Sequence, residues 1–272
     1  MDYSKYKYWF VFLSGNRILS INKETGDEKI WKDSEIVSIS DIDNEYKELR
    51  DEFSIFMSHR PERLLYNIRE LHLDDISFEY YLDLLKGSIL SKSFYVSYKS
   101  GGAWDEQSTL LQFESFKKFI ITTDIMNTPF SGEGRGVYSY RSGLLLYLCT
   151  TAQMSVLLAD SPLFDIDIGK MIFCALTHRL DKVGRYIYSF TDYGKVSTLR
   201  IADTPLTKYG RGVSSIMLLS RFFNLSEEEQ LSIRWANGAW HLDVTEYSDL
   251  SRASSAYQLV RLLQFAVSMT FG

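Results

Sequence analysis

Ala175-Leu176-Thr177-His178-Arg179-Leu180-Asp181-Lys182-Val183-Gly184 is the stretch that decides how this chain is read. It closes a segment, residues 165–182, whose apolar positions recur with helical period, so it predicts a helix ending in a charged turn. His178 and Asp181 are three positions apart and share one face of such a helix. Arg179 and Lys182 bring positive charge to the same turn.

Around this helix, periodicity predicts others at 142–159, 212–223, 227–237 and 253–270. Ser226, with Glu229 three residues on, gives the fourth of the five helices a capping-box start. Tyr186–Ile201, broken by Asp192-Tyr193-Gly194, predicts a β-hairpin inserted between helices. The first part of the chain reads differently. Residues 8–14, 18–21 and 28–31 are aromatic or β-branched runs, and Asn22–Asp27 has turn chemistry, with Gly26 free to take a positive φ. Residues 6–40 therefore predict a small antiparallel β unit with Tyr8, Trp9, Phe10 and Phe12 as its core. Tyr46, Leu49, Phe53 and Phe56 predict a helix over 42–58, and others follow at 62–71, 75–91 and 110–122. Ser93–Trp104 reads as a strand interrupted by Gly101-Gly102. The expected fold class is α+β: an N-terminal β/α region over residues 1–115, then a mainly helical bundle with one hairpin over 116–272.

The bulk numbers fit a globular protein. The chain has 272 residues, 45% hydrophobic and 24% charged. Its net charge of -5 gives no support for nucleic-acid binding. Cys149 and Cys174 lack metal-binding spacing and sit in apolar helical segments, so two buried thiols are expected. Leu144–Leu158 carries Thr150, Thr151 and Gln153, and Leu259–Phe271 carries Arg261 and Gln264. Neither is the uniformly apolar run of about 20 residues that a membrane span needs. Met1–Lys7 has no signal-peptide pattern, so a soluble cytoplasmic protein is expected. The alternating glycines of Ser131–Gly136 lack the Lys-Ser/Thr of a phosphate-binding loop and predict a plain loop. Asp41-Ile-Asp43 and Asp165-Ile-Asp167 read as charges at helix N-termini.

Five segments in order carry a family likeness. Ser142-Gly-Leu-Leu-Leu-Tyr147 looks like a G-G-L-L-x-H helix start, and Ala175–Lys182 looks like A-L-x-H-D-x-x-K. Tyr209-Gly-Arg211-Gly-Val213 stands where a Y-G-H-G-E segment would, and Ile233-Arg-Trp-Ala236 where I-R-W-H would. Leu262–Val267 looks like a last helix that ends in an aspartate. Over about residues 124–271 the chain thus resembles the HD-domain superfamily of metal-dependent phosphohydrolases.

The resemblance implies a helical bundle holding one or two divalent metals that activate water against a phosphate ester. It also implies that this chain has lost that chemistry. The six ligand positions carry Tyr147, His178, Arg179, Arg211, Ala236 and Val267. One imidazole cannot hold a catalytic metal, and a guanidinium repels one. A rearranged site using His178, Asp181 and His241 is the remaining metal option. No metal and no cofactor are expected. The leading expectation is an inactive protein that acts by binding, through a protein partner. A second is a pocket for a nucleotide or other phosphorylated ligand lined by His178, Arg179, Lys182, Arg211 and Tyr147, with Arg185 and Lys208 nearby. Against it stands pairing of the arginines with Asp165, Asp167, Asp181 or Asp203.

Overall fold

The computed structural model describes residues 6–40, 46–130, 138–160, 166–202, 211–236 and 254–270, without the side chains of Leu199, Ile201, Arg211, Ser254 and Ser255. The expectations for Asp41–Asp43, Ser131–Gly136, Asp165, Asp203, Lys208, Tyr209 and His241 fall outside the described residues.

The aromatic runs near the N-terminus form β1 (Tyr8–Leu13), β2 (Arg17–Asn22) and β3 (Glu28–Lys32), antiparallel in that order. Gly26 takes φ +77° in the β2–β3 turn, where a β-carbon would be strained. Strand alternation divides the buried side chains of this sheet. Phe10, Phe12 and Ile18 join the main core, while Trp9, Val11, Leu13, Leu19 and Ile21 pack with Phe94 in a second cluster. The first two strands are thus buried on both faces, which explains their unbroken apolar runs.

Three helices follow: α1 (Asp33–Val37), α2 (Lys47–His59) and α3 (Arg63–Asn67), the last continued by a 3-10 turn, Ile68–Glu70. Then come α4 (Phe78–Lys99), α5 (Glu106–Thr122), α6 (Gly143–Ala159) and α7 (Ile168–Thr177). The hairpin β4 (Tyr186–Phe190) and β5 (Val196–Ile201) precedes α8 (Arg211–Leu219), α9 (Glu227–Trp235) and α10 (Ser254–Thr270). This is the α+β architecture expected. Ser226 and Glu229 form the expected capping box on α9.

Two expectations are corrected. Ser93–Trp104 is not a strand, because α4 continues through Lys99. Phe94 and Tyr98, one helical turn apart, stack at 6.1 Å and 14°, and Phe94 also stacks on Trp9 at 4.5 Å. Packing against the sheet therefore fixes as helix a composition that favours strand. The helix expected over 165–182 ends at Thr177, and Leu180–Lys182 is a separate 3-10 turn. The expected division between residues 115 and 116 falls inside α5. One apolar core runs from Phe10 through Leu85 and Phe173 to Val267, and α4 packs directly on α7. Among the described residues no helix is long and apolar enough to cross a membrane.

Candidate functional site

The segment that opened the sequence reading lies at the end of α7. Asp167 caps that helix, its Oδ1 accepting from the Gly169 N–H at 2.8 Å. Leu13 and Asp167 form a β-bridge that ties the start of α7 to β1. Every α7 residue except Lys170 is buried, so the helix carries its C-terminal end into the interior. His178 is fully buried, and Arg179, Asp181 and Lys182 are nearly so.

The hydrogen bonds assign the state of His178. Nδ1 lies 2.8 Å from the Ala175 carbonyl oxygen, which can only accept, so Nδ1 carries the proton. Nε2 is then the acceptor, and the Tyr147 hydroxyl donates to it at 3.1 Å. Burial, reinforced by the neighbouring Arg179 charge, pushes the imidazole pKa down to about 3. Burial pushes the Tyr147 phenol up. The pair is a neutral imidazole and a neutral phenol at physiological pH, with both ring nitrogens engaged.

Charge lies beside this pair. Arg179 Nε donates to Asp181 Oδ1 at 3.0 Å, and Arg185 donates to Asp181 Oδ2 at 3.2 Å. The Asp181 N–H donates to Ser215 Oγ at 3.0 Å, and that hydroxyl donates to the His178 carbonyl oxygen at 3.1 Å. Ser215 thereby locks α8 onto the turn. Phe130 stacks on Tyr147 with centroids 3.7 Å apart. The Arg179 guanidinium sits 5.2 Å and the Lys182 ammonium 4.6 Å from the Phe130 ring centre. Lys182 also lies 5.2 Å from the Tyr186 ring.

Tyr147, His178, Arg179 and Lys182 are thus brought together as one buried cluster. Arg211 opens α8 as backbone, but its side chain is outside the described set. Ala236 and Val267 are buried in the apolar core. These residues do not fit a divalent metal: the imidazole has no free nitrogen, the phenol keeps its proton, and guanidinium groups hold both oxygens of Asp181. Among the described residues no three His, Cys, Asp or Glu side chains group closely enough to hold one. Cys149 and Cys174 are buried free thiols, the first pushed up to about 12 by burial alone.

No family model, no curated protein and no solved structure matches this chain. The site therefore stands on its own geometry.

Sequence reading missed Phe130 and Ser215, which reach the cluster from 48 and 37 residues away from His178. Neither has a local signal. The Asp181–Arg185 contact did have one, since opposite charges four positions apart meet on a helical turn.

Proposed function

We propose that this protein is a catalytically silent, HD-like protein that works by binding, regulating a protein partner in the cytoplasm. One observation carries the reading. The only histidine kept at the six ligand positions is fully buried, neutral, and hydrogen-bonded through both nitrogens to Ala175 and Tyr147. It has no lone pair for a metal and no exposed nitrogen to exchange a proton with substrate. α6 packs on α7 and α10, and α9 packs on α8 and α10, as a helical bundle.

Two measurements test it. Purified protein supplied with Mn²⁺, Mg²⁺ or Zn²⁺ should not hydrolyse bis(4-nitrophenyl) phosphate above the metal-only blank. Turnover that disappears in His178→Ala would overturn the silent-site reading. Gentle pull-down from a native lysate should recover a stoichiometric protein partner, and a chain that remains alone counts against partner binding.

A second reading draws on local charge. Arg179 and Arg185 both pair with Asp181, and Lys182 lies over the same Phe130 ring that Arg179 faces. Arg185 Nε is buried and makes no hydrogen bond among the described residues. A cluster of these three cations suits a phosphorylated small molecule. Thermal-shift titration with nucleotides and cyclic dinucleotides tests it, because a ligand of the native state must raise Tm. A flat response removes this reading.

A further inference from the structure

A groove of about 440 Å³ opens between the C-terminal half of α4, the start of α5 and the start of α9. Its size suits a small organic ligand. It does not involve the His178 cluster, and nothing argued for it rests on the function proposed above.

The floor of the groove is an ion pair. Lys92 Nζ lies 2.9 Å from Glu229 Oε1, and both side chains are less than a tenth exposed. Glu229 Oε1 is sealed from solvent beside the ammonium, so the pair closes the groove from beneath. One wall is Trp104, half-buried and braced by Trp9 at 4.6 Å and Phe94 at 5.3 Å. Ser93, Ser97, Gln112 and Asn224 line the groove further, together with the apolar Val96, Phe223 and Leu225.

Charge selects the ligand class. The N-termini of α5 and α9 both open onto the groove and would attract an anion. Each end is already met by a carboxylate of this chain. Asp105 Oδ1 accepts from the Ser108 N–H at 3.0 Å, and Glu229 Oε2 accepts from the Ser226 N–H at 2.8 Å. Lys92 at +1 against Asp105 and Glu229 at -2 leaves the lining at -1, which repels phosphate. A cation would find Glu229 already paired with Lys92. A neutral, hydroxyl-rich ring fits what is left: its apolar face on the indole, its hydroxyls on groups that both donate and accept.

We infer that the α4–α5–α9 groove binds a neutral saccharide, with Trp104 as stacking platform and Ser93, Ser97, Gln112 and Asn224 reading ring hydroxyls. Saturation-transfer NMR on the full chain with glucose, N-acetylglucosamine and maltose tests this, with inorganic phosphate and AMP as contrasts. At least one of the three sugars should show saturable transfer to its ring protons. Ser97→Trp, a half-buried position on α4, should abolish it by filling the groove. Gln112→Ala, on the rim, should weaken it several-fold and serves if Ser97→Trp fails to fold. No saturable transfer from any of the three sugars overturns the inference. So does transfer unchanged in a folded groove variant, or tighter binding of AMP or phosphate at the groove.

Discussion

Arg60 and Arg179 are both about 2% exposed, one in each half of the chain. Their ion pairs are arranged differently. Arg60 makes a forked pair with Glu62, at 3.1 and 2.6 Å, adds Glu106 as a second carboxylate, and lies 4.8 Å from the Trp9 ring. Two carboxylates answer one cation. Among the described residues Arg179 shares a single carboxylate, Asp181, with Arg185, and Lys182 lies beside it over the Phe130 ring. Burial of a guanidinium therefore says little about function. The first site ties Arg60 to α5 through Glu106, whereas in the second Arg179 shares Asp181 with Arg185 next to a neutral imidazole and phenol.

Truncation tests that contrast most severely. Arg60→Ala strands Glu62 in the interior and should cost about 3–5 kcal/mol in urea unfolding. Arg179→Ala leaves Asp181 with Arg185 and should cost less, about 1–3 kcal/mol. Equal losses would break the comparison.

Acid is the next lever. The His178 pKa is held down at about 3 against an ordinary value of 6.5. Between those values the unfolded chain binds the proton and the folded chain does not, so stability falls as pH drops from about 6.5 towards 3. The loss is on the order of 4 kcal/mol over the window, and His178→Gln should remove it. Asp167 acts the other way. Burial raises its carboxyl to about 6, so the folded chain gains stability as pH falls from about 6 to 3.8. Asp167→Asn should therefore steepen the acid loss, and unfolding curves from pH 7 to 4 check both variants.

Smaller effects sharpen the picture within each site. Tyr147→Phe removes the donor to His178 Nε2 and should cost about 1–2 kcal/mol by thermal unfolding. Ser226→Ala, which deletes the α9 cap outside both arginine sites, should cost about 1 kcal/mol and calibrates the rest.

Local patterns in the sequence carried much of the architecture. The turn at Gly26, the α9 cap at Ser226 and the hairpin over Tyr186–Ile201 all follow from residues close together in the chain. The reading failed where distant packing decided the outcome. Phe94, Tyr95 and Tyr98 favour strand by composition, and Trp9 from β1 holds Phe94 in a helix. In the candidate site, Tyr147, His178, Arg179 and Lys182 lie in one buried cluster. Their closure by Phe130 and Ser215 was not legible, because both arrive through tertiary contacts that no spacing encodes. The Arg60–Glu106 pair spans 46 residues and gave no signal for the same reason.

The β-bridge between Leu13 and Asp167 has a consequence for how the chain is made. Ser14 N–H donates to the Ile166 carbonyl at 3.1 Å, so the end of β1 finishes its pairing only against residues more than 150 positions later. During synthesis at about 5–20 residues per second, the β1 end of the sheet waits on the order of ten seconds for that partner. A nascent chain stalled before Asp167 carries an unfinished strand end, and it is there that chaperone capture or misassembly between neighbouring nascent chains would begin.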